Sequence, residues 1–296
     1  MGNPKATDLS TLEPGLYLIA TPIGAARDIT LRALDILSTA EVLAAEDTRT
    51  LRKLMDIHGV ALRDRMLISL HDHNARHAIP KLIVALNAGK SVAYASDAGT
   101  PLISDPGYDL TRAVIEAGLP LVSAPGPTAA ITALTLSGLP ADSFFFAGFL
   151  PSKIGRRKTA LGGLRSVPGT LIFYESPKRA AGMLRDAAEV LGSERQAALC
   201  REITKKFEET LRGTLGDLAQ DVAKRELKGE IVILVGRGDS VEVNQADLED
   251  EIKAALKEVS VRDAADQIAT KYGLKKRDVY QRALALNALE QESETE

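Results

Sequence analysis

Short apolar runs alternate with longer amphipathic stretches along the first half of the chain, beginning at Gly15. Short β-branched runs bounded by turn residues are typical of buried strands, whereas apolar positions at helical spacing are typical of helices that cover a sheet. The predicted strands are 16–20, 42–45, 66–70, 91–95 and 120–124, and the predicted helices are 29–38, 48–57, 75–88 and 107–117. The alternation predicts an α/β domain with a mostly parallel sheet at 15–125, after an N-terminal tail at 1–14.

The pattern changes after Pro125 and predicts a second α/β domain with a mixed sheet at 126–236. A helix at 128–137 precedes apolar runs at 144–149, 170–174, 197–202 and 230–236, which are separated by a polar basic segment, further helices and a hairpin-like stretch. We predict a linker at 237–246, since only helical patterns follow it, near 247–258, 261–271 and 276–289. An acidic tail at 290–296 ends the sequence.

The helical segment at 247–289 contains two short helices joined around Gly273, and the second of them is basic. This arrangement resembles a helix-turn-helix unit, which would bind nucleic acid. The alternative is a helical hairpin that only packs on the rest of the protein.

The composition is that of a soluble globular protein, with 45 % hydrophobic and 26 % charged residues. No apolar run is long enough to span a membrane, and the first residues lack the basic and apolar segments of a signal peptide. We therefore expect a cytoplasmic protein without a membrane partner. A single cysteine, Cys200, excludes internal disulfides and metal sites built from thiolates.

The chain has 37 basic and 40 acidic residues, a formal net charge of −3, but four of the acids lie in the C-terminal tail. Basic residues cluster at 153–158 and again at 271–282. Because local clusters rather than the total charge attract phosphates, a polyanionic partner is compatible with this sequence. The alternative is that both clusters are ordinary solvated faces.

Three turns rich in glycine and proline follow predicted strands, at 20–24, 96–107 and 124–130. In open α/β sheets, ligands bind beyond the carboxyl ends of the strands, where glycine permits close approach of the backbone. The loop at 96–107 holds more glycine, proline and aspartate than a turn requires, so we predict a small-molecule site there. Phosphate-loop, dinucleotide and nucleophile-elbow signatures are incomplete, which disfavours kinases, dehydrogenases and hydrolases.

Acidic and basic side chains at the strand ends are the candidates for catalysis. They are Asp47, His73, Asp105, Lys178, Glu202 and Lys205. Three histidines at 71, 73 and 77 could suggest a metal site, but no cysteine supports one and a helix cap explains Asn74, so we predict no metal.

Eight segments carry a resemblance to a known family. They are TPIG at 21–24, AEDTR at 45–49, HDHN at 71–74, SDAGTPLISDPG at 96–107, PGPTAAITAL at 125–134, GFLP at 148–151, FYESPKR at 173–179 and REITK at 201–205. In this order, over about 15–236, the chain resembles the ribosomal RNA small subunit methyltransferase I branch of the tetrapyrrole methylase superfamily. Ala25 and Ala26 depart from the Asn-Leu usual in that branch. Thr100 and Pro101 follow Gly99, where the wider superfamily commonly has Gly-Asp-Pro.

The resemblance implies two α/β domains with S-adenosylmethionine in the cleft between them, a homodimer, and methylation of a cytidine ribose 2′-oxygen in 16S rRNA of the small ribosomal subunit. It places the cofactor contacts at Pro22, Gly24, Asp97, Gly99, Thr100, Pro101, Ile103, Thr128, Ala129, Tyr174, Gly229 and Glu230. The expected RNA contacts are Lys153, Arg156, Arg157, Lys158, Arg179, Lys275, Lys276 and Arg277.

Two other functions remain open at this point. A methyltransferase acting on a small tetrapyrrole would leave the basic segment at 153–158 and the C-terminal helices unexplained. A nucleic-acid-binding regulator, whose α/β part only senses a small ligand, would explain both features without catalysis.

Overall fold

A parallel five-stranded sheet forms the first part of the protein, in a computed structural model that describes residues 11–238, 245–272 and 276–293. Its strands are β1 (Gly15–Ile19), β2 (Val42–Ala45), β3 (Met66–Ser69), β4 (Ser91–Ala95) and β5 (Leu121–Ala124). Helices α1 (Leu31–Thr39), α2 (Thr48–Ile57), α3 (Ala75–Asn87) and α4 (Tyr108–Glu116) connect them. The strand order is β3-β2-β4-β1-β5, and every pair is parallel as the sequence predicts.

Both faces of the central strands β1, β2 and β4 are buried, which explains why these strands are continuous apolar runs, whereas the edge strands β3 and β5 are partly exposed. Leu16 of β1 packs with the residues on one face, and the adjacent Tyr17 packs with those on the other. The loops that leave the strands therefore meet at the carboxyl edge of the sheet, which is the part of the fold that positions the site.

The second sheet is mixed, as predicted. Its strands are β6 (Phe144–Phe149), β7 (Thr170–Glu175), β8 (Gln196–Arg201), β9 (Glu209–Thr214) and β10 (Ile231–Val235), in the order β6-β7-β10-β8-β9. Helices α5 (Ala129–Ser137), α6 (Ile154–Gly163), α7 (Pro177–Leu191) and α8 (Leu215–Val222) accompany it. Only β6 and β7 are parallel. The basic cluster at 153–158 begins at the N-cap of α6 and forms the first half of this helix, which the sequence did not predict.

The last three helices, α9 (Gln245–Leu256), α10 (Val261–Tyr272) and α11 (Lys276–Ser293), pack around a hydrophobic cluster of their own. Ile252, Ala265 and Ala283 are fully buried in it. The predicted linker lies largely outside the described residues, as do the turn at 273–275, with Lys275, and the end of the acidic tail at 294–296. Among the residues that the structure describes, no helix is long and apolar enough to cross a membrane.

Candidate active site

The three loops rich in glycine and proline lie side by side at the carboxyl edge of the first sheet. Thr21 and Gly99 exchange two backbone hydrogen bonds of 2.9 Å, which join the first loop to the second. The hydroxyl of Thr100 donates to the carbonyl of Pro127 at 2.9 Å, which joins the second loop to the third. Gly99 has a φ of +79°, in the left-handed region of the backbone. Glycine adopts this conformation with little steric strain, whereas residues with a Cβ are strained there. The sequence therefore specifies a single connected rim.

A cleft of about 410 Å³ separates this rim from the second sheet. The first sheet contributes Ile23, Ala98, Gly99, Thr100, Ile103, Ser104 and Asp105, and the segment before α5 contributes Thr128 and Ala129. The second sheet contributes Phe149 of β6, the end of β7 with Glu175, Ser176 and Pro177, and the start of β10 at 229–232. Much of this wall is backbone and small side chains, which suits a ligand held by close contacts.

Eight of the twelve predicted cofactor residues line the cleft. They are Gly99, Thr100, Ile103, Thr128, Ala129, Tyr174, Gly229 and Glu230. The other four, Pro22, Gly24, Asp97 and Pro101, lie outside its lining. Gly24 instead packs against Thr204 and Lys205, and Asp97 accepts a 3.0 Å hydrogen bond from the backbone N–H of Asp47. Gly24 and Asp97 therefore make contacts behind the cleft lining.

Tyr174 is the aromatic wall of the cleft on the second sheet. Its hydroxyl accepts a 3.1 Å hydrogen bond from the backbone N–H of Ala130, and its ring makes edge contacts with Phe146 and Phe149. Burial raises the pKa of this hydroxyl. Tyr174 is thus a neutral, fixed surface that joins β7 to the start of α5.

Asp105 is the single catalytic candidate of the six that lines the cleft. Burial first, and then the negative charges of Glu46, Asp97 and Glu230, raise the pKa of its carboxyl from 3.8 to about 6. The nearby Ser96 hydroxyl acts in the opposite direction. A carboxylate with such a pKa can accept a proton near neutral pH.

Lys205 forms ion pairs with Glu202 and Glu230 at the edge of the cleft. Of these three residues, Glu230 lines the cleft. The ammonium of Lys205 lies 3.1 Å from Glu202 Oε1 and 2.9 Å from Glu230 Oε2. Glu202 Oε1 also accepts a 3.0 Å hydrogen bond from the backbone N–H of Glu230, which lowers the pKa of Glu202. These contacts fix Glu202, Lys205 and the backbone of Glu230 together, so they position the start of β10.

The remaining candidates lie outside the cleft lining. Asp47 caps the N-terminus of α2, and its hydrogen bonds with Arg49 lower its pKa to about 2, so it is a poor proton acceptor. His73 is exposed beside His71, with ring centroids 5.9 Å apart, and Lys178 is exposed on the first turn of α7. The described residues contain no group of three or more His, Cys, Asp or Glu side chains that could hold a metal ion.

The predicted RNA contacts separate into exposed and structural residues. Arg157 was predicted to contact RNA, but its side chain is buried. It is 6 % exposed, and its guanidinium lies 2.6 Å from Asp186 on α7. Lys158 pairs with Glu189, and Arg179 donates to the carbonyl of Leu150 and pairs with Glu175. Lys153, Arg156 and Arg277 are exposed, and Lys276 pairs with Asp266 at 2.6 Å.

Several lining residues were absent from the sequence prediction. They are Ile23, Ala98, Ser104, Phe149, Glu175, Ser176, Pro177, Ile231 and Val232. Most are apolar or present backbone, and such residues look like ordinary core or turn positions in a single sequence. Their proximity to predicted residues, such as Ile231 after Gly229 and Glu230, was the available signal.

Residues 15–219 match the family of tetrapyrrole (corrin/porphyrin) methylases. The chain belongs to the tetrapyrrole methylase family. Residues 242–287 of this methylase also match the family described as the RsmI C-terminal HTH domain, which agrees with the helix-turn-helix expected there.

Curated relatives of this tetrapyrrole methylase share the name ribosomal RNA small subunit methyltransferase I. The protein of Mesorhizobium japonicum is 50 % identical over 93 % of both chains. That of Escherichia coli O157:H7 is 43 % identical over 91 % of this chain and 94 % of its own, and that of Halalkalibacterium halodurans is 42 % identical over 90 % and 93 %. Methyltransferase activity is therefore supported for this family member.

Solved structures share the tetrapyrrole methylase fold at low identity. Uroporphyrin-III C-methyltransferase from Thermus thermophilus, complexed with S-adenyl homocysteine, has a TM-score of 0.53 and 18 % identity, covering 75 % of this chain and 97 % of that one. A conserved hypothetical protein from Aeropyrum pernix K1 has a TM-score of 0.60 and 16 % identity, covering 92 % and 96 %. These similarities bear on the fold alone.

Proposed function

We propose that the protein transfers a methyl group from S-adenosylmethionine to the ribose 2′-oxygen of a cytidine in 16S rRNA of the small ribosomal subunit. The observation that carries the proposal is the cleft between the two sheets, with Asp105 of the long loop in its wall. The name shared by the curated relatives supports ribosomal RNA as the substrate class.

The residues of the cleft fit S-adenosylmethionine. Among the residues that the structure describes, Asp105, Glu175 and Glu230 line it and no Lys or Arg does, so its walls hold no cation that would repel a sulfonium. A Cβ built on Gly99 would lie 3.4 Å from Ile23 Cγ2, so glycine keeps this part of the slot open. When bound, the cofactor supplies an electrophilic methyl group.

Asp105 is the proposed proton acceptor. A ribose hydroxyl is a weak nucleophile, and a carboxylate within reach of it assists attack by removing its proton. Asp105 would take the hydroxyl proton as the ribose oxygen bonds to the methyl group that the cofactor would supply, and the electron pair of the broken S–CH₃ bond would stay with the sulfur. The rigid rim contributes by holding acceptor and methyl group in line.

RNA capture is assigned to the exposed cations and to the C-terminal helices. Lys153 and Arg156 lie at the start of α6, which follows Phe149 of the cleft by only a few residues. Arg277 is exposed at the start of α11, in the segment that matches a helix-turn-helix family. The proposed assembly is a cytoplasmic homodimer, which light scattering would detect as twice the mass of the 31.6 kDa chain.

Radiolabelled S-adenosylmethionine tests the function when it is incubated with small ribosomal subunits, naked 16S rRNA or a tetrapyrrole precursor. We expect label in RNA, released on nuclease digestion as 2′-O-methylcytidine and identified by mass spectrometry. Label in the tetrapyrrole would instead indicate a tetrapyrrole methyltransferase. Cofactor binding with no methylated product, together with RNA binding, would indicate a regulator.

A further inference from the structure

A second cavity, of about 290 Å³, shares Asp105 with the cleft. We call it the acidic pocket. It lies between the segment that follows β3 and the end of the long loop where α4 begins. Its lining is Leu70, His71, Asp72, Ala75, Ile79 and residues 105–110.

The walls of the acidic pocket favour an aromatic ligand with N–H donors. Asp72, Asp105 and Asp109 present carboxylates, and no Lys or Arg of the described part of the chain lies in the lining. Like charges disfavour a phosphate there. The ring of Tyr108 is 63 % exposed beside these carboxylates, which gives a flat surface for stacking. Proteins that bind unstacked RNA bases combine such aromatic surfaces with hydrogen bonds to the base edge.

Unpartnered polar groups beside the pocket independently indicate a ligand. Tyr94 is fully buried, and its hydroxyl has no hydrogen-bond partner within the described part of the chain. Burial raises the pKa of this hydroxyl, and four carboxylates of this region, those of Glu46, Asp105, Asp97 and Asp72, raise it further. Tyr94 therefore lies near the acidic cluster, directly behind the pocket wall at Gly107.

The wall of the acidic pocket packs closely against the ring of Tyr94. A Cβ on Gly107, which lines the pocket, would lie 2.7 Å from Tyr94 Cε1, so only glycine lets the loop rest on this ring. His71 Nδ1 is likewise buried without a hydrogen-bond partner among the described residues. Native proteins rarely leave two such groups without a role.

We infer that the acidic pocket receives the base of the acceptor nucleotide. The base would stack on Tyr108, and its exocyclic amine would donate a hydrogen bond to the carboxylate of Asp72. This inference rests on the proposed function. A base in the acidic pocket and a methyl donor in the cleft would place the ribose between them, beside Asp105, the residue common to both cavities. Cytosine presents an amine that donates to a carboxylate, whereas uracil presents a carbonyl that a carboxylate repels.

Base specificity tests the assignment of Asp72. Small subunits that carry either cytidine or uridine at the methylated position are compared as substrates for the wild-type protein and for Asp72→Asn. The wild type should prefer cytidine, and the amide of the variant, which can donate to the uracil carbonyl, should lower the cytidine-to-uridine ratio of kcat/KM about tenfold. Asp56→Asn, an exposed position on α2, is the matched control and should keep the ratio.

Stacking is tested separately at Tyr108. Tyr108→Ala should raise KM for small subunits about tenfold, whereas Tyr108→Phe, which keeps the ring, should behave as the wild type. The side chains of Asp72 and Tyr108 are both exposed, so their substitution should leave the fold intact. Unchanged melting temperatures and cofactor affinities would show that the variants are folded.

The outcomes distinguish this inference from the proposed function. If the wild type methylates the ribose of cytidine but neither the base ratio nor KM changes in the variants, the acidic pocket does not bind the base and the proposed function stands. If the wild type methylates no cytidine in RNA, both proposals are wrong.

Discussion

Ala25 donates its backbone N–H to the hydroxyl of Thr204 at 3.0 Å, which ties the loop after β1 to the loop after β8. Gly24 makes the approach possible, because a Cβ there would lie 2.5 Å from the same hydroxyl. This contact joins the two sheets beside the cleft, so the width of the cleft depends on it.

Thr204→Val should therefore weaken cofactor binding. Valine keeps the branched shape at the left-handed φ of +63° but offers no acceptor to Ala25, and an unsatisfied amide costs about 1–3 kcal/mol. We expect lower affinity for S-adenosylmethionine by calorimetry and a lower melting temperature. Thr204→Ser keeps the hydroxyl and is the control; equal losses in both variants would contradict the role of this bond.

Gly99→Val should abolish cofactor binding by placing a side chain in the slot beside Ile23. Gly118→Val is the matched control, since Gly118 has a similar left-handed φ of +66° but open space around its Cβ position. Both variants carry comparable backbone strain, so a similar fall in melting temperature is expected. Only Gly99→Val should lose affinity for S-adenosylmethionine in calorimetry, and retention of normal affinity would show that the cofactor lies elsewhere.

Asp105→Asn should lower kcat by two or more orders of magnitude, in the range of a lost general base, with cofactor affinity retained. Because the pKa of Asp105 is about 6, wild-type activity should rise with pH through that value as the carboxylate forms. Glu46→Gln removes the neighbouring charge that raises this pKa and should move the rise to lower pH. An unchanged pH profile in Glu46→Gln would exclude Asp105 as the titrating group.

The same carboxyl should affect stability in the opposite direction. A pKa raised on folding means that the native protein binds protons more tightly, so the free energy of unfolding falls as pH rises from about 4 to about 6. Asp105→Asn removes a partly buried charge, and its melting temperature at pH 7 should equal or exceed that of the wild type. A clear loss of stability would indicate a structural role instead.

Lys153→Ala with Arg156→Ala should weaken RNA binding and flatten its salt dependence. Each lost phosphate contact lowers the slope of log affinity against log salt by about 0.9 for duplex and about 0.7 for single-stranded RNA. Affinities for RNA measured at several salt concentrations give this slope. An unchanged slope in the double variant would mean that Lys153 and Arg156 face solvent and do not contact phosphates.

Arg157→Ala gives the contrasting result expected of a buried ion pair. It leaves the carboxylate of Asp186 buried without its partner, at a cost of about 3–5 kcal/mol. Thermal unfolding should detect the loss. A stable Arg157→Ala variant with a reduced salt slope would return this residue to the RNA contacts.

A chain ending at Gly238 should keep the cleft and lose substrate capture. The C-terminal helices have their own buried cluster, so their removal should leave the melting temperature and the cofactor affinity of the α/β part nearly unchanged. Activity on small subunits should fall through a higher KM. Full activity would exclude a docking role, and joint loss of stability and cofactor affinity would show that these helices support the α/β part.

The sequence predicts the first sheet well because its central strands are buried on both faces and its helices are amphipathic. Helix α6 was missed because glycines at 155, 162 and 163 weaken its helical pattern. Arg157 was misplaced for a related reason. Its three basic neighbours suggest a surface cluster, and nothing in the local sequence points to Asp186, twenty-nine positions later.

The cleft was predictable where loops carry unusual residues and not where the wall is ordinary. The spacing of glycine and proline indicated the rim, but Ile23 and Val232 are typical core residues. Asp105 stood among six equal candidates, because the burial that raises its pKa is a property of the folded cleft.

The order of the strands also governs when the cleft can form during synthesis of the chain. Gly15 of β1 pairs with Ser91, and Leu16 pairs with Leu121, so the first strand must wait for much later segments to leave the ribosome. The opposite wall needs β10, at 231–235. A nascent chain thus has no complete cofactor cleft until nearly all of both sheets has emerged, and such distant pairing is slow to form.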